Sequence, residues 1–147
     1  MEVKVIYIGS DHAGFQSKNA MKTYLEGKGL EVTDLGCFSE EPCDYPDIAR
    51  EVGEKVLEVE GAMGIAICGS GVGVAIAANK LRGIRAAMIN KPEIAEMARM
   101  HNNLNVLTMG ARHTTAEEMK PIVDKFLTTD FDTGERHARR VEKLNTM

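Results

Sequence analysis

Short apolar runs alternate with longer stretches whose apolar residues recur at helical spacing along the whole chain. Residues 3–8 read as a strand that empties into the loop Gly9-Ser10-Asp11-His12-Ala13-Gly14. Residues 15–28 read as a helix, with Met21, Tyr24 and Leu25 at helical spacing, and Gly29 ends it. Residues 30–35 form a second strand, followed by a polar loop containing Cys43-Asp44-Tyr45-Pro46 and a helix over 47–59. A third strand, 63–68, runs into the glycine-rich turn Cys68-Gly69-Ser70-Gly71-Val72-Gly73, and Ala75-Ile76-Ala77-Ala78-Asn79-Lys80 reads as the next helix. Strand 84–89, helix 91–100, strand 106–109 and helix 115–127 continue the alternation, with Thr114 or Thr115 placed to cap the last of these. After a turn at Asp132-Thr133-Gly134, residues 135–144 form a final helix.

About five strands separated by helices predict an α/β fold, a five-stranded parallel sheet covered on both faces in three α/β/α layers, Rossmann-like, with residues 133–147 as a C-terminal helical arm. The 147 residues fit a single domain. Ligands of such sheets bind beyond the carboxyl ends of the strands. That rule gathers the loops 9–14 and 68–73 and the segment after 106–110 into one place.

Composition narrows the function. The net charge is −4, so no overall basic field for nucleic acid is expected. No apolar run approaches the roughly 20 residues that a membrane helix needs. The first residues enter a strand directly and carry no signal-peptide pattern. Cys37, Cys43 and Cys68 are an odd set without CxxC spacing, which argues against a disulfide scaffold or zinc site and for a reducing, cytoplasmic setting.

Cys68 is the sharpest candidate. It stands where a buried strand ends and a helix begins, among glycines that let a backbone approach a ligand. A thiol near a helix N-terminus tends to ionise readily, yet free cysteines are as often small buried hydrophobes. The spacing Gly69-x-Gly71-x-Gly73 lacks the last glycine of a dinucleotide fingerprint and the Lys-Ser/Thr pair of a triphosphate loop. A small anion or an oxyanion fits it better. Ser70 offers a hydroxyl, or simply a turn. Asp11 and His12 could supply acid–base chemistry or a cap, and Tyr45 a hydroxyl or turn chemistry. His101 and Asn102 close a helix, where a histidine often meets only the helix dipole. Arg112, Arg136, His137 and Arg140 could form solvated faces or a phosphate grip through paired N–H donors.

Taken in order, several stretches resemble the B-type ribose-5-phosphate isomerase family, which also includes allose-6-phosphate and galactose-6-phosphate isomerases. They are Ser10-Asp11-His12-Ala13-Gly14-Phe15, Asp44-Tyr45-Pro46, Cys68-Gly69-Ser70-Gly71-Val72-Gly73, Ile76-Ala77-Ala78-Asn79-Lys80, Gly83-Ile84-Arg85-Ala86, His101-Asn102-Asn103-Leu104-Asn105 and Arg136-His137-Ala138-Arg139-Arg140-Val141. The resemblance spans nearly the whole chain.

The resemblance implies aldose–ketose isomerisation of ribose 5-phosphate and ribulose 5-phosphate through an enediolate, without metal or organic cofactor. Cys68 would be the base and Ser70, where many members have threonine, the relay between oxygens. The backbone of Gly69, Gly71, Val72 and Gly73, with Asn102, would hold the enediolate oxygen. His101, helped by Asp11, would open the sugar ring. His12, Arg112, Arg136, His137 and Arg140 would grip the phosphate, and Tyr45 would contact the sugar or His101. Val74 stands where other members place a glutamate base, so the cysteine branch fits. Glu135 replaces a glycine common in the family; turned inward it would weaken phosphate binding, and turned to solvent it would be harmless. The resemblance also implies a homodimer or homotetramer, with active sites between protomers and the arm of one reaching the other. The alternatives are an isomerase of a hexose 6-phosphate, a transferase using Cys68 covalently, a non-catalytic sugar-phosphate-binding protein, and a flavodoxin-like binding module.

Overall fold

Ala62-Met63-Gly64-Ile65-Ala66-Ile67-Cys68 carries no charged side chain, and every one of these residues is buried. A strand apolar on both faces belongs in the middle of a sheet covered on both sides. In the computed structural model, which describes residues 2–147, this strand is β3 (Ala62–Cys68), the centre of a five-stranded sheet. The other strands are β1 (Val5–Ser10), β2 (Val32–Asp34), β4 (Ala86–Met88) and β5 (Val106–Gly110). The order is β2-β1-β3-β5-β4, and every pairing is parallel. The register sets Ser10 beside Ile67 and Cys68 beside Gly110.

The helices are α1 (Phe15–Gly27), α2 (Tyr45–Glu58), α3 (Val72–Ala78), α4 (Pro92–Asn102), α5 (Ala116–Thr128) and α6 (Glu135–Asn145). Alternation along the strands splits the core in two. Ile6, Ile8, Ile65, Ile67, Leu107 and Met109 face Met21 and Leu25 of α1, Met119 and Phe126 of α5 and Ala95 of α4. Ala66, Cys68 and Val106 face Val52 and Val56 of α2 and Val74 and Ala78 of α3. Small residues bring the second layer close. A Cβ on Gly64 would stand 2.8 Å from the Val52 side chain.

The three-layer α/β/α prediction holds, and its boundaries shift for physical reasons. Strand β1 starts and ends two residues later than periodicity suggests, because pairing with β3 carries the polar Ser10 into the ladder. Strand β4 is shorter than expected, being an edge strand that pairs with β5 alone. Helix α3 begins at Val72, three residues before Ala75, once Gly71 has turned the chain at φ +79°. Thr115 caps α5 through a capping box with Glu118. The hydrogen bond from Thr115 to the Glu118 carboxylate lowers that group's pKa.

The cysteine expectation is corrected. Cys37 and Cys43 form a disulfide across the loop between β2 and α2. Counting cysteines missed it because tertiary contacts bring the pair together. The Cys37 N–H donates to the Ser10 carbonyl at 2.6 Å, and the Cys43 N–H to His12 Nδ1 at 3.4 Å. Both ends of the loop are therefore tied to the exit of β1.

Candidate active site

Parallel strands place all their carboxyl ends, and the starts of the helices that follow, at one edge of the sheet. Three loops meet there as the pattern predicts. The Asp11 N–H donates to the Ile67 carbonyl at 3.2 Å, tying the β1 exit to the end of β3. The Ala111 and Arg112 N–H groups donate to the carbonyls of Cys68 and Gly69 at 2.8 and 3.0 Å, tying in the β5 exit.

Cys68 is buried, and the Gly71 N–H donates to its sulfur at 3.1 Å. A charged sulfur would find a backbone donor already in place. Ser70 is exposed, and its Oγ accepts the Val72 N–H at 3.1 Å. Helix α3 is only seven residues long, so individual N–H groups matter here more than a macrodipole. The Arg112 guanidinium lies over Gly69, where a Cβ would come within 2.9 Å of Nη1. The Tyr45 ring covers Gly73, where a Cβ would come within 2.5 Å of the ring.

Asp11 is buried and accepts the Gly14 N–H at 3.1 Å, capping the short turn His12–Gly14. His12 Nδ1 faces the Cys43 N–H and so acts as acceptor, which puts the proton of the neutral ring on Nε2, free to donate. Val74 is fully buried in the cluster that holds Cys68, so no carboxylate base stands there. The resulting surface has a thiol, a hydroxyl, glycine-loop amides, an imidazole and a guanidinium, with Asp11 beneath.

The other candidates lie at the opposite edge. Helix α4 starts beyond the carboxyl end of β4 and runs back to Asn102, just before β5 begins at Val106. His101 and Asn102 therefore sit by the amino ends of the strands. Helix α6 joins them. The Asp132 N–H donates to the Met100 carbonyl at 2.9 Å, and the rings of His101 and His137 stack with centroids 4.5 Å apart. Arg136 Nη2 lies 3.4 Å from His137 Nε2. At its far end α6 meets Arg85, whose Nη1 donates to Asn145 at 2.7 Å. Arg140 is exposed on the same helix, and Glu135 is exposed in its first turn. Burial lowers the His137 pKa, as do the nearby His101, Arg136 and Arg140, against an opposing pull from Asp132. A cavity of about 680 Å³ opens beside this group, lined in part by Asn79, Arg82, Arg85, Asn102 and Leu144.

One chain thus assembles Cys68, Ser70, Gly69, Gly71, Val72, Gly73, Asp11, His12, Tyr45 and Arg112 at one edge. It holds His101, Asn102, Arg136, His137 and Arg140 at the other, roughly 20 Å away along β3 at the usual strand rise. The proximity expected between Asn102 and the glycine loop, and between His101 and Asp11, does not exist within a single copy. Periodicity alone carried this separation, since residues that end a helix lie opposite residues that end a strand. Thr108 escaped the sequence reading altogether. It is fully buried in β5, and its hydroxyl donates to the Gly71 carbonyl at 2.7 Å. A lone polar residue between Leu107 and Met109 was the available signal.

Comparison with known proteins places the whole chain in a family. A family model described as Ribose/Galactose Isomerase matches residues 6–144. Ribose-5-phosphate isomerase B of Escherichia coli is 43% identical over 145 residues, covering 99% of this chain and 97% of its own length. The crystal structure of a Thermotoga maritima ribose 5-phosphate isomerase superposes with a TM-score of 0.94 at 49% identity, covering 99% of this chain and 100% of that one. A Mycoplasma genitalium ribose-5-phosphate isomerase B with bound ribulose-5-phosphate superposes with a TM-score of 0.91 at 40% identity, covering 99% and 97%. The chain belongs to the ribose/galactose isomerase family.

Proposed function

We propose that this protein interconverts ribose 5-phosphate and ribulose 5-phosphate. The observation that carries the reading is a buried thiol facing a backbone donor, beside an exposed hydroxyl and a turn of glycine amides. The proton on the sugar carbon next to the carbonyl is weakly acidic, so its removal requires both a base and donors for the oxygen that becomes negative. Cys68, as thiolate, takes the proton from C2 and returns it at C1. Ser70 carries a proton between O1 and O2. Glycine-loop amides hold the enediolate oxygen, and such fixed donors need little reorganisation during the reaction. Losing one costs on the order of 3 kcal/mol in other enzymes.

Two copies complete the site. His101 and Asn102 of the partner subunit face the glycine loop, His101 opening the ring with Asp11. His12 and Arg112 grip the phosphate together with Arg136, His137 and Arg140 of the partner subunit. The separation of these groups within one chain supports the pairing. So do exposed apolar side chains at helical spacing, Val72 and Ile76 on α3 and Ile94 and Met97 on α4, flanking the short edge strand β4. The chain acts as one domain whose arm, residues 133–147, serves the neighbouring site. We place the activity in the cytoplasm, where charged sugar phosphates are retained; the Cys37–Cys43 bridge is the feature that pulls the other way.

The test is proton NMR of ribose 5-phosphate with the protein in D₂O, beside Cys68→Ala and a parallel allose 6-phosphate sample. Ribulose 5-phosphate should form with deuterium at the reacting carbon, and Cys68→Ala should lose turnover while still binding the sugar phosphate. Conversion of the hexose alone would change the substrate. Near-normal turnover by Cys68→Ala would remove Cys68 as the base.

A further inference from the structure

We propose that Thr108 is a positioning residue for the glycine loop, its hydroxyl fixing the direction of the peptide between Gly71 and Val72. Thr108 lies one strand from Cys68, in register with Ala66 of β3, and is fully buried. Its Oγ1 donates to the Gly71 carbonyl at 2.7 Å. The N–H at the other end of the same peptide, that of Val72, donates to Ser70 Oγ at 3.1 Å. The Gly71 N–H meets the Cys68 sulfur at 3.1 Å. One hydroxyl below the loop therefore anchors the unit that faces the candidate relay, through the residue that faces the candidate base.

The anchor matters because this peptide is easy to turn over. Gly71 sits at φ +79° and ψ −7°, and a residue without a Cβ presents little steric barrier to a flip. A flipped peptide would set a carbonyl oxygen where the Val72 N–H now stands, beside Ser70, and would repel a negative oxygen forming there. Only the present orientation gives the Thr108 hydroxyl its acceptor. Below the loop the walls are close. A Cβ on Gly110 would come within 2.5 Å of the Ser70 backbone, so the loop is seated as well as tethered. The catalytic part of this inference rests on the isomerase reading, but the tether does not.

The experiment compares Thr108→Val, which keeps the shape and removes the donor, with Thr108→Ser, which keeps the donor. Turnover of ribose 5-phosphate and the rate of Cys68 alkylation by iodoacetamide are measured in each, the latter by mass spectrometry of the Cys68 peptide. Thr108→Val should lower kcat about tenfold or more with KM changed by less than about twofold, as expected for loss of a preorganised donor. Its Cys68 alkylation rate should also change, and Thr108→Ser should match the unsubstituted protein in both measurements. Equal impairment in both variants would make the effect one of packing and overturn the proposal, as would unchanged kcat and alkylation in Thr108→Val. Should the valine variant fail to fold, Thr108→Cys takes its place, with a thiol that donates only weakly, and is held to the same outcomes. If the unsubstituted protein converts no sugar phosphate, the isomerase reading falls, while the alkylation comparison still decides the tether.

Discussion

His101 of α4 and His137 of α6 lie ring on ring, their centroids 4.5 Å apart and their planes 9° from parallel. Two imidazoles so placed resist carrying charge together. The groups facing His137 are His101 from α4, Arg136 and Arg140 from its own helix, and Asp132, whose carboxylate lies 3.9 Å from Nε2. Burial is the largest cause of its lowered pKa, and the neighbouring positive groups add to it. The unfolded chain, with His137 near its ordinary value of 6.5, takes up a proton that the folded chain refuses. Stability from this group is therefore present above pH 6.5 and is lost as the pH falls from there toward the folded value. The melting temperature should drop on acidification through that window, and His137→Phe should flatten the drop. An identical slope in the variant would place the effect elsewhere.

Mixing two inactive proteins should restore activity. Cys68→Ala damages one edge of the sheet and His101→Ala the other. A hybrid dimer unites both defects in one site and leaves the second site intact. With random exchange after co-refolding in equal amounts, half the dimers are hybrids, so activity should recover to about one quarter of the unsubstituted level. No recovery, with mixed dimers shown to be present by native mass spectrometry, would mean that the two edges do not meet.

Gly71 cannot carry a side chain without cost. A left-handed backbone costs a residue with a Cβ about 1–2 kcal/mol. A Cβ there would also lie 2.7 Å from the Met109 carbonyl carbon and 2.8 Å from Met88 Cγ. Gly71→Ala should lower the urea midpoint by more than the backbone term alone and lose most turnover. A neutral substitution would contradict the close seating of the loop.

Lys18 of α1 is a fully buried charge beside the carboxyl end of β2. Its ammonium donates to Asp34 at 2.9 Å and to the Cys37 carbonyl at 2.5 Å, between the rings of Phe15 and Phe38. Removing one partner of a buried pair strands the other. Lys18→Met should destabilise by about 3 kcal/mol, and adding Asp34→Leu should recover part of the loss. Equal melting temperatures for Lys18→Met and the unsubstituted protein would show the pair to be idle.

The sheet and its layers were legible because each rests on local repetition. The apolar run at Ile65-Ala66-Ile67 and the helical spacing of Met21 and Leu25 survive any detail of packing. The gathering of Asp11, Cys68 and Arg112 followed from strand direction alone. What stayed hidden depends on partners far away in sequence. Lys18 shares the apolar face of α1 with Met21 and Leu25, and nothing local reveals that Asp34 and Cys37 wait above it. The partner of Thr108 is a carbonyl 37 residues away. The two ends of the Cys37–Cys43 loop are held by Ser10 and His12, which lie far back in the sequence.

The length of β3 has one more consequence. A single copy keeps the Cys68 edge and the His101 edge apart by the height of its own sheet. If two copies pair as proposed, dilution that separates them would silence the protein, and a rise in concentration would restore it. Activity per molecule would then be a measure of how crowded the protein is with its own kind.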